Sequence, residues 1–200
     1  MKDFKQGCVF CGHELEYLPT PIELECAVCH KISYALVHCP EGHFICDDCH
    51  AKGGVDFIEA FCSNSLSENP IELAEQIMHN HGIKMHGPEH HFIVPAVLLT
   101  AYFNQKGERQ KKIQALKEAR RRASFVPGGF CGSHGSCGAG IGSGIFLSIL
   151  TEASPLSVNE WKLSNMLTSK CLAEIAANGG QRCCKRDTFI ALKNSIAFIA

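Results

Sequence analysis

The chain has 200 residues, a formal net charge of -1, and 46% hydrophobic against 20% charged residues. That length permits one ordinary domain, or a small module ahead of a moderate one, and the composition permits a real core. Near-neutral charge excludes a global pull towards nucleic acid or anionic membrane, and the longest apolar runs, "IFLSIL" and "FIVPAVLLTAYF", fall short of the ~18 residues of a membrane-spanning helix.

The N-terminus "MKDFKQGCVF" lacks the apolar run of a signal peptide. The unusual totals are 13 cysteines and 11 histidines. Many of the cysteines come as Cys-x-x-Cys pairs, a pattern that favours metal or thiol chemistry over a disulfide framework. A protein of a reducing cytoplasm is the expectation, with no membrane partner.

Up to about residue 65 the chain is rich in turn residues and short β-leaning runs such as "KISYALVH". Cys8, Cys11, Cys26, Cys29, Cys39, His43, Cys46 and Cys49 are its metal-ligand candidates. A Cys-x-x-Cys step lets one tight turn present two thiolates to one ion, and tetrahedral zinc takes four such ligands. Eight candidates make two closed zinc sites, and a fragment this short needs staples of that kind to fold. Sequential pairing would put Cys8, Cys11, Cys26 and Cys29 on one ion; interleaved pairing would split them. His30, His38 and His50 flank these ligands as outer or exposed groups, and Cys62 is expected simply to be buried.

After residue 65 helical patterns dominate. Asn69 caps and Pro70 opens a helix over "IELAEQIMHN" that Gly82 stops, with His79 and His81 at its end. A second helix follows Pro88, with Pro95 bending it or marking its true start. Residues 108–124 form a charged third, with Ile113, Leu116 and Ala119 or Ala123 along its apolar side. Its basic residues read as a solvated face ahead of a nucleic-acid surface; nucleic-acid binding through the zinc module and this helix is the third and least favoured reading. "SGIFLSILTEA", "SVNEWKLSNMLTSKCLAEIAA" and "CKRDTFIALKNSIAFIA" supply three more, Gly179-Gly180 closing the fifth. The expected fold is a small zinc-stapled β-rich module (1–65) followed by an all-α domain of about six helices (66–200).

Three stretches of the helical part carry chemistry: "MHGPEHHF" with His86, His90 and His91; "FCGSHGSCGAGIGSG" with Cys131, His134 and Cys137; and "GGQRCCKRD" with Cys183, Cys184 and Arg186. Each sits at a helix start, where unpaired N–H groups and the helix dipole favour thiolate or phosphate. If the three starts converge, they form a pocket rich in thiols and imidazoles, with Arg182, Lys185 and Arg186 lowering thiol pKa values. On this reading Cys131, Cys137, Cys183 and Cys184 are thiolate ligands of a third metal or an iron–sulfur cluster, or a redox pair. His90 and His134 are ligands or proton carriers, His86 and His91 line a cofactor, and Arg186 positions an anion. Gly138 with Gly142, and Gly140 with Gly144, are spaced four apart, so each pair offers a flat stripe for another backbone. Glycine inside a helix costs about 1 kcal/mol per residue relative to alanine, so close packing or a ligand must offset it. The run is neither a phosphate loop nor a dinucleotide fingerprint, since it lacks Gly-Lys-Ser/Thr and any βαβ frame. Cys171 in "SKCLAEIA" is expected in the core.

Two resemblances follow from these motifs. "CAVCHKISYALVHCPEGHFICDDC" resembles the start of a RING-like cross-brace module, although the final Cys pair is missing and an extra pair stands upstream. It implies that Cys26, Cys29, Cys46 and Cys49 share one ion, and Cys8, Cys11, Cys39 and His43 the other; ligase activity does not carry over. "GPEHHFIVPAVLLTAY", "FCGSHGSCGAGIGSGIF" and "GGQRCCKRD" resemble an uncharacterised prokaryotic Cys/His-rich domain family that spans nearly the whole chain. The resemblance implies domains that occur alone or fused to S-adenosylmethionine-dependent methyltransferases, and hence an alternative role as a non-catalytic adaptor docking such an enzyme. No methyltransferase Gly-rich strand–turn–helix is present in this chain. The Cys137-Gly138-Ala139 step also resembles small redox proteins with scattered glycine–cysteine motifs.

Overall fold

A computed structural model describes residues 8, 13–27, 30–80 and 82–199. Cys11, Cys29 and His81 lie outside the described residues, and of Cys49 only the backbone is described. The chain divides into two compact units, Met1–His50 and Ala51–Ala200.

In the first unit, β1 (Glu16–Glu25) and β2 (Ile32–His38) form an antiparallel hairpin. Its register runs from Glu25↔Ile32 to Glu16↔His38, with an irregularity between Tyr17 and Ile22. That stretch contains Pro19 and Pro21, neither of which can donate to the ladder. Cross-strand partners face each other in polar pairs: the Tyr34 hydroxyl donates to Glu23 at 2.8 Å, and His38 lies 3.3 Å from Glu16. Tyr17, Ile32 and Tyr34 are exposed, so the hairpin encloses little apolar surface. The buried residues of this unit, among those described, are Cys8, Cys26, Cys39 and Cys46. Its interior is made of sulfur.

The second unit is helical. With α1 (Asp47–Asn64), which begins in the first unit, eight helices occur among the described residues: α2 (Pro70–His79), α3 (Glu89–Lys106), α4 (Arg109–Ala123), α5 (Phe130–Ser133), α6 (Gly138–Leu150), α7 (Asn159–Asn178) and α8 (Cys184–Ile199). The expected six are therefore joined by α1 and the single turn α5. Residues 51–64, grouped by sequence with the cysteine-rich module, instead help to build the helical core through Ile58 and Cys62. Gly53 and Gly54 sit inside α1.

Asn69 accepts from the amides of Ile71 and Glu72, and Pro70 opens α2, so that start is built as its residues dictate. The helix ends at His79, before Gly82, because Asn80 takes up extended backbone angles. Pro95 does not mark the start of α3, which begins at Glu89 and runs through it. This helix is buried on nearly every side, as expected of a central helix, and packs against α2, α4, α6 and α8. The inward face of α4 is Lys112, Ala115, Leu116, Ala119 and Ala123, with Lys112 in place of Ile113. Lys112 is tolerated inside because its ammonium donates to the Ser65 carbonyl at 2.8 Å and to Asn104 at 2.9 Å. Outside, Arg120 pairs with Asp56 and Glu59, and Arg121 and Arg122 with Glu118. Cys62 and Cys171 are fully buried, as expected.

The α6 glycines explain the tightest packing. A Cβ on Gly138 would strike the His91 ring, and one on Gly142 would stand 3.0 Å from the His91 carbonyl and from Pro95 Cδ. On the adjoining face, a Cβ on Gly140 would fall 2.7 Å from Leu172, and one on Gly144 would collide with Thr168. One stripe therefore admits α3 and the other α7. Pro95 supplies no N–H to the His91 carbonyl, and Gly142 packs at that gap.

No helix of the described residues is long and apolar enough to cross a membrane.

The same substitution should act in opposite directions at two glycines. Gly142→Ala overpacks a backbone contact, costing about 1–3 kcal/mol, which exceeds the ~1 kcal/mol propensity gain. Gly53→Ala meets nothing within 4 Å and should gain roughly 0.5–1 kcal/mol. Chemical denaturation of both variants checks the difference in sign.

Candidate functional site

In the N-terminal unit, the Cys8 and Cys39 thiols and a His43 ring nitrogen lie within 4.8 Å of one another, a group able to hold a metal ion. Tight turns put them there. The Cys8 amide donates to the His13 carbonyl at 2.7 Å, and the Gly42 amide to Cys39 at 2.9 Å with Gly42 at φ 81°. A second contact joins the other knuckles: the Cys46 amide donates to Cys26 Sγ at 3.3 Å, and the Ala27 amide to the Phe44 carbonyl at 2.8 Å. Cys8 thus stands with Cys39 and His43, while Cys26 stands with Cys46. The expected ligands Cys11 and Cys29 fall outside the described residues.

In the helical unit the starts of α3, α6 and α8 converge. Cys131, Cys137, Arg182, Arg186 and Asp187 line an open cleft of about 340 Å3 whose far wall is Leu172, Ile175 and Ala176. Beside it, Cys131, Cys137, Cys184, His90, His91, Arg182 and Asp187 line a smaller space of about 10 Å3. Asp187 is the hub. Buried in the first turn of α8, it accepts from Cys137 Sγ at 3.7 Å and from Arg186 Nε at 2.9 Å.

The histidines separate by role. His90 is 1% exposed and uses both ring nitrogens. Nε2 lies 2.9 Å from the Lys84 carbonyl and Nδ1 3.0 Å from the Thr188 hydroxyl. A carbonyl only accepts, so Nε2 carries the proton given to Lys84, while the Thr188 hydroxyl beside Nδ1 donates its own proton to the Cys184 carbonyl at 2.8 Å. Burial, followed by the charges of His91, Lys185 and His86, holds the imidazole down to about 4, against the lifting effect of Lys84. His90 is thus a neutral tie between α3, α8 and the 80s loop. His91 donates Nδ1–H to the Val126 carbonyl at 2.9 Å and turns its ring to Gly138. His86 keeps a buried Nδ1 without a hydrogen-bond partner; burial and Arg182 lower its pKa, against the pull of Asp187. His134 is exposed, stacked on Phe130 at 4.2 Å and bonded to Ser133 at 2.8 Å. It caps α5 and lines neither space, and neither does Cys183.

The helix-start argument for an acidic thiol fails at Cys137. The Ala139 and Gly140 amides do favour its thiolate, but burial is larger and, with Asp187 and Cys184, pushes the thiol up to about 11. Among the described residues, only the Cys8, Cys39 and His43 donors meet the 4.8 Å criterion for a metal-holding group. Asp187 stands in the "GGQRCCKRD" stretch but received no role from sequence, although an acid in the first turn of a helix beside a Cys-Cys-Lys-Arg run was a usable signal.

The chain belongs to DUF5714, a family of unknown function, which matches residues 58–200. The match covers the helical unit and leaves out the cysteine-rich start, which the expected resemblance had included. Comparison with curated proteins and with solved structures finds no match.

Because folded His90 resists protonation, the unfolded chain binds more protons between pH 6.5 and about 4. Its contribution is full above pH 6.5 and is lost as pH falls through that window. Denaturation curves across the window should show a shallower loss for His90→Gln than for the parent chain.

Proposed function

We propose that this chain is a metal-stapled ligand-binding protein. A two-zinc module precedes a helical domain whose cleft takes a small anionic molecule with an apolar flank. The observation that carries the reading is the meeting of "CGSHGSC" and "RCCKRD" with the end of α7 at one cleft, beside the small space that His90 and His91 line. Arg182 and Arg186 offer planar donors suited to a carboxylate or phosphate, Leu172 and Ile175 offer an apolar wall, and Cys131 brings a half-exposed thiol to the cleft. The volume suits a metabolite-sized ligand. Cys131 is the thiol such a ligand would meet; Cys137 is held protonated beside it.

Interleaved zinc sites are supported by the Cys8–Cys39–His43 group and by the Cys46 amide bond to Cys26. One ion would take Cys8, Cys11, Cys39 and His43; the other Cys26, Cys29, Cys46 and Cys49. A second reading, a body that docks a partner enzyme such as a methyltransferase, is supported by the exposed apolar residues Leu156, Val158, Trp161, Leu163 and Met166 at and before the start of α7. Co-elution with that enzyme, lost in Trp161→Glu, would favour it.

Metal counting separates the zinc pairings. In the interleaved arrangement Cys8→Ser with Cys39→Ser disables one site, and the double variant should bind one ion fewer than the parent. Sequential pairing would disable both sites. For the cleft, a thermal-shift panel of phosphate- and carboxylate-bearing metabolites should yield compounds that raise Tm in the parent chain. The Arg182→Ala, Arg186→Ala variant should bind them about tenfold or more weakly, the scale of losing one charged hydrogen bond. A panel that shifts neither protein would sink the anion reading.

A further inference from the structure

The small space beside the cleft is bounded by groups from four parts of the chain. Cys131 comes from α5, Cys137 from the cap of α6, Cys184 from the first position of α8, and His91 from the first turn of α3. At about 10 Å3 it holds roughly one water-sized sphere. That size suits a single ion. Three thiols and an imidazole make a Cys3His donor set, the chemistry that suits zinc.

The imidazole is oriented for the task. Its Nδ1–H is given to the Val126 carbonyl at 2.9 Å, so in the neutral ring Nε2 carries the lone pair. A backbone carbonyl behind a ligating histidine is the usual outer support of a metal site. Gly138 lets the ring sit there, since a Cβ would fall 2.3 Å from Nε2. Asp187, buried at Cys137 and held by Arg186, is placed to act as the corresponding outer acceptor.

We propose that Cys131, Cys137, Cys184 and His91 hold one zinc-class divalent ion beside the cleft. Each thiol releases its proton to solvent as its sulfur–metal bond forms. The donors stand wider apart than those of the Cys8 group, so the cysteines close on the ion by side-chain rotation. Neither Cys183 nor His134 lines the space, and His90, which does, has both ring nitrogens engaged by Lys84 and Thr188. The site shares the cleft with the anion reading but does not depend on an anion.

The full chain, stripped with a chelator and reloaded anaerobically with zinc, tests the site residue by residue. Iodoacetamide labelling of Cys131, read by peptide mass spectrometry, should fall at least tenfold with zinc, while labelling of Cys183 should stay unchanged. Cobalt loading should give one ion fewer in Cys131→Ser, Cys184→Ser than in the parent. Equal labelling of Cys131 with and without zinc, or equal cobalt counts in a variant that keeps its helical circular dichroism, overturns the proposal. If the variant fails to fold, the labelling of the parent chain decides. Failure of the anion reading appears separately, as a panel without Tm shifts alongside zinc-protected Cys131.

Discussion

The helical unit depends on how closely α6 approaches its neighbours. Side chains normally keep helix axes about 8–10 Å apart; Gly138, Gly142, Gly140 and Gly144 remove them on two faces, towards α3 and α7. The close approach has a functional consequence. The first turn of α6 lies against the His91 ring, which brings Cys137 beside the first turns of α3 and α8. There the Cys137 thiol stands 3.7 Å from Asp187. The glycine run and the cysteine before it therefore form one device, in which the glycines create the proximity and the sulfur occupies it.

Around that device the polar groups are arranged for rigidity. His90 joins the Lys84 carbonyl to Thr188, His91 joins Val126, and Lys185 donates to the Met78 carbonyl at 2.8 Å. Each tie links elements far apart in sequence through a buried or half-buried donor, where hydrogen bonds are strong and their loss is expensive. The cleft alongside, open and lined by backbone at Gly132, Gly135, Gly179 and Gly180, is the less constrained surface. A firm base beside an adaptable rim is the arrangement that binding sites generally require.

Much of this was legible in the sequence where local chemistry decides. Asn69-Pro70 fixed the start of α2, and Gly179 fixed the end of α7. The four-residue glycine spacing announced the stripes, and three Cys/His motifs at helix starts announced a meeting point. Long-range partners decide what was not legible. Adjacent His90 and His91 look alike in sequence and both line the small space; only their partners, Lys84 and Thr188 for one and Val126 for the other, separate them. Cys137 looked like an activated thiol because helix ends are readable, whereas its burial beside Asp187 is not. Lys112 looked like surface until Ser65 and Asn104, far away in sequence, gave it somewhere to donate. Residues 51–64 carry Gly53 and Gly54 inside α1, and only Ile58 and Cys62, joining the core, show which residues that helix packs with.

The sulfur interior of the N-terminal unit separates the two halves of the chain in a different sense. An apolar core travels with its polypeptide and works wherever there is water. An interior of thiols joined by zinc, as proposed above, is completed only by an ion taken from the surroundings, so its stability follows the logarithm of the available zinc. The first unit would then answer to metal supply and oxidation for its whole interior, whereas the helical unit, with an apolar core around any ion it holds, would answer mainly to temperature and solvent. Such a chain would keep a folded helical body under conditions in which its leading segment loses its metal.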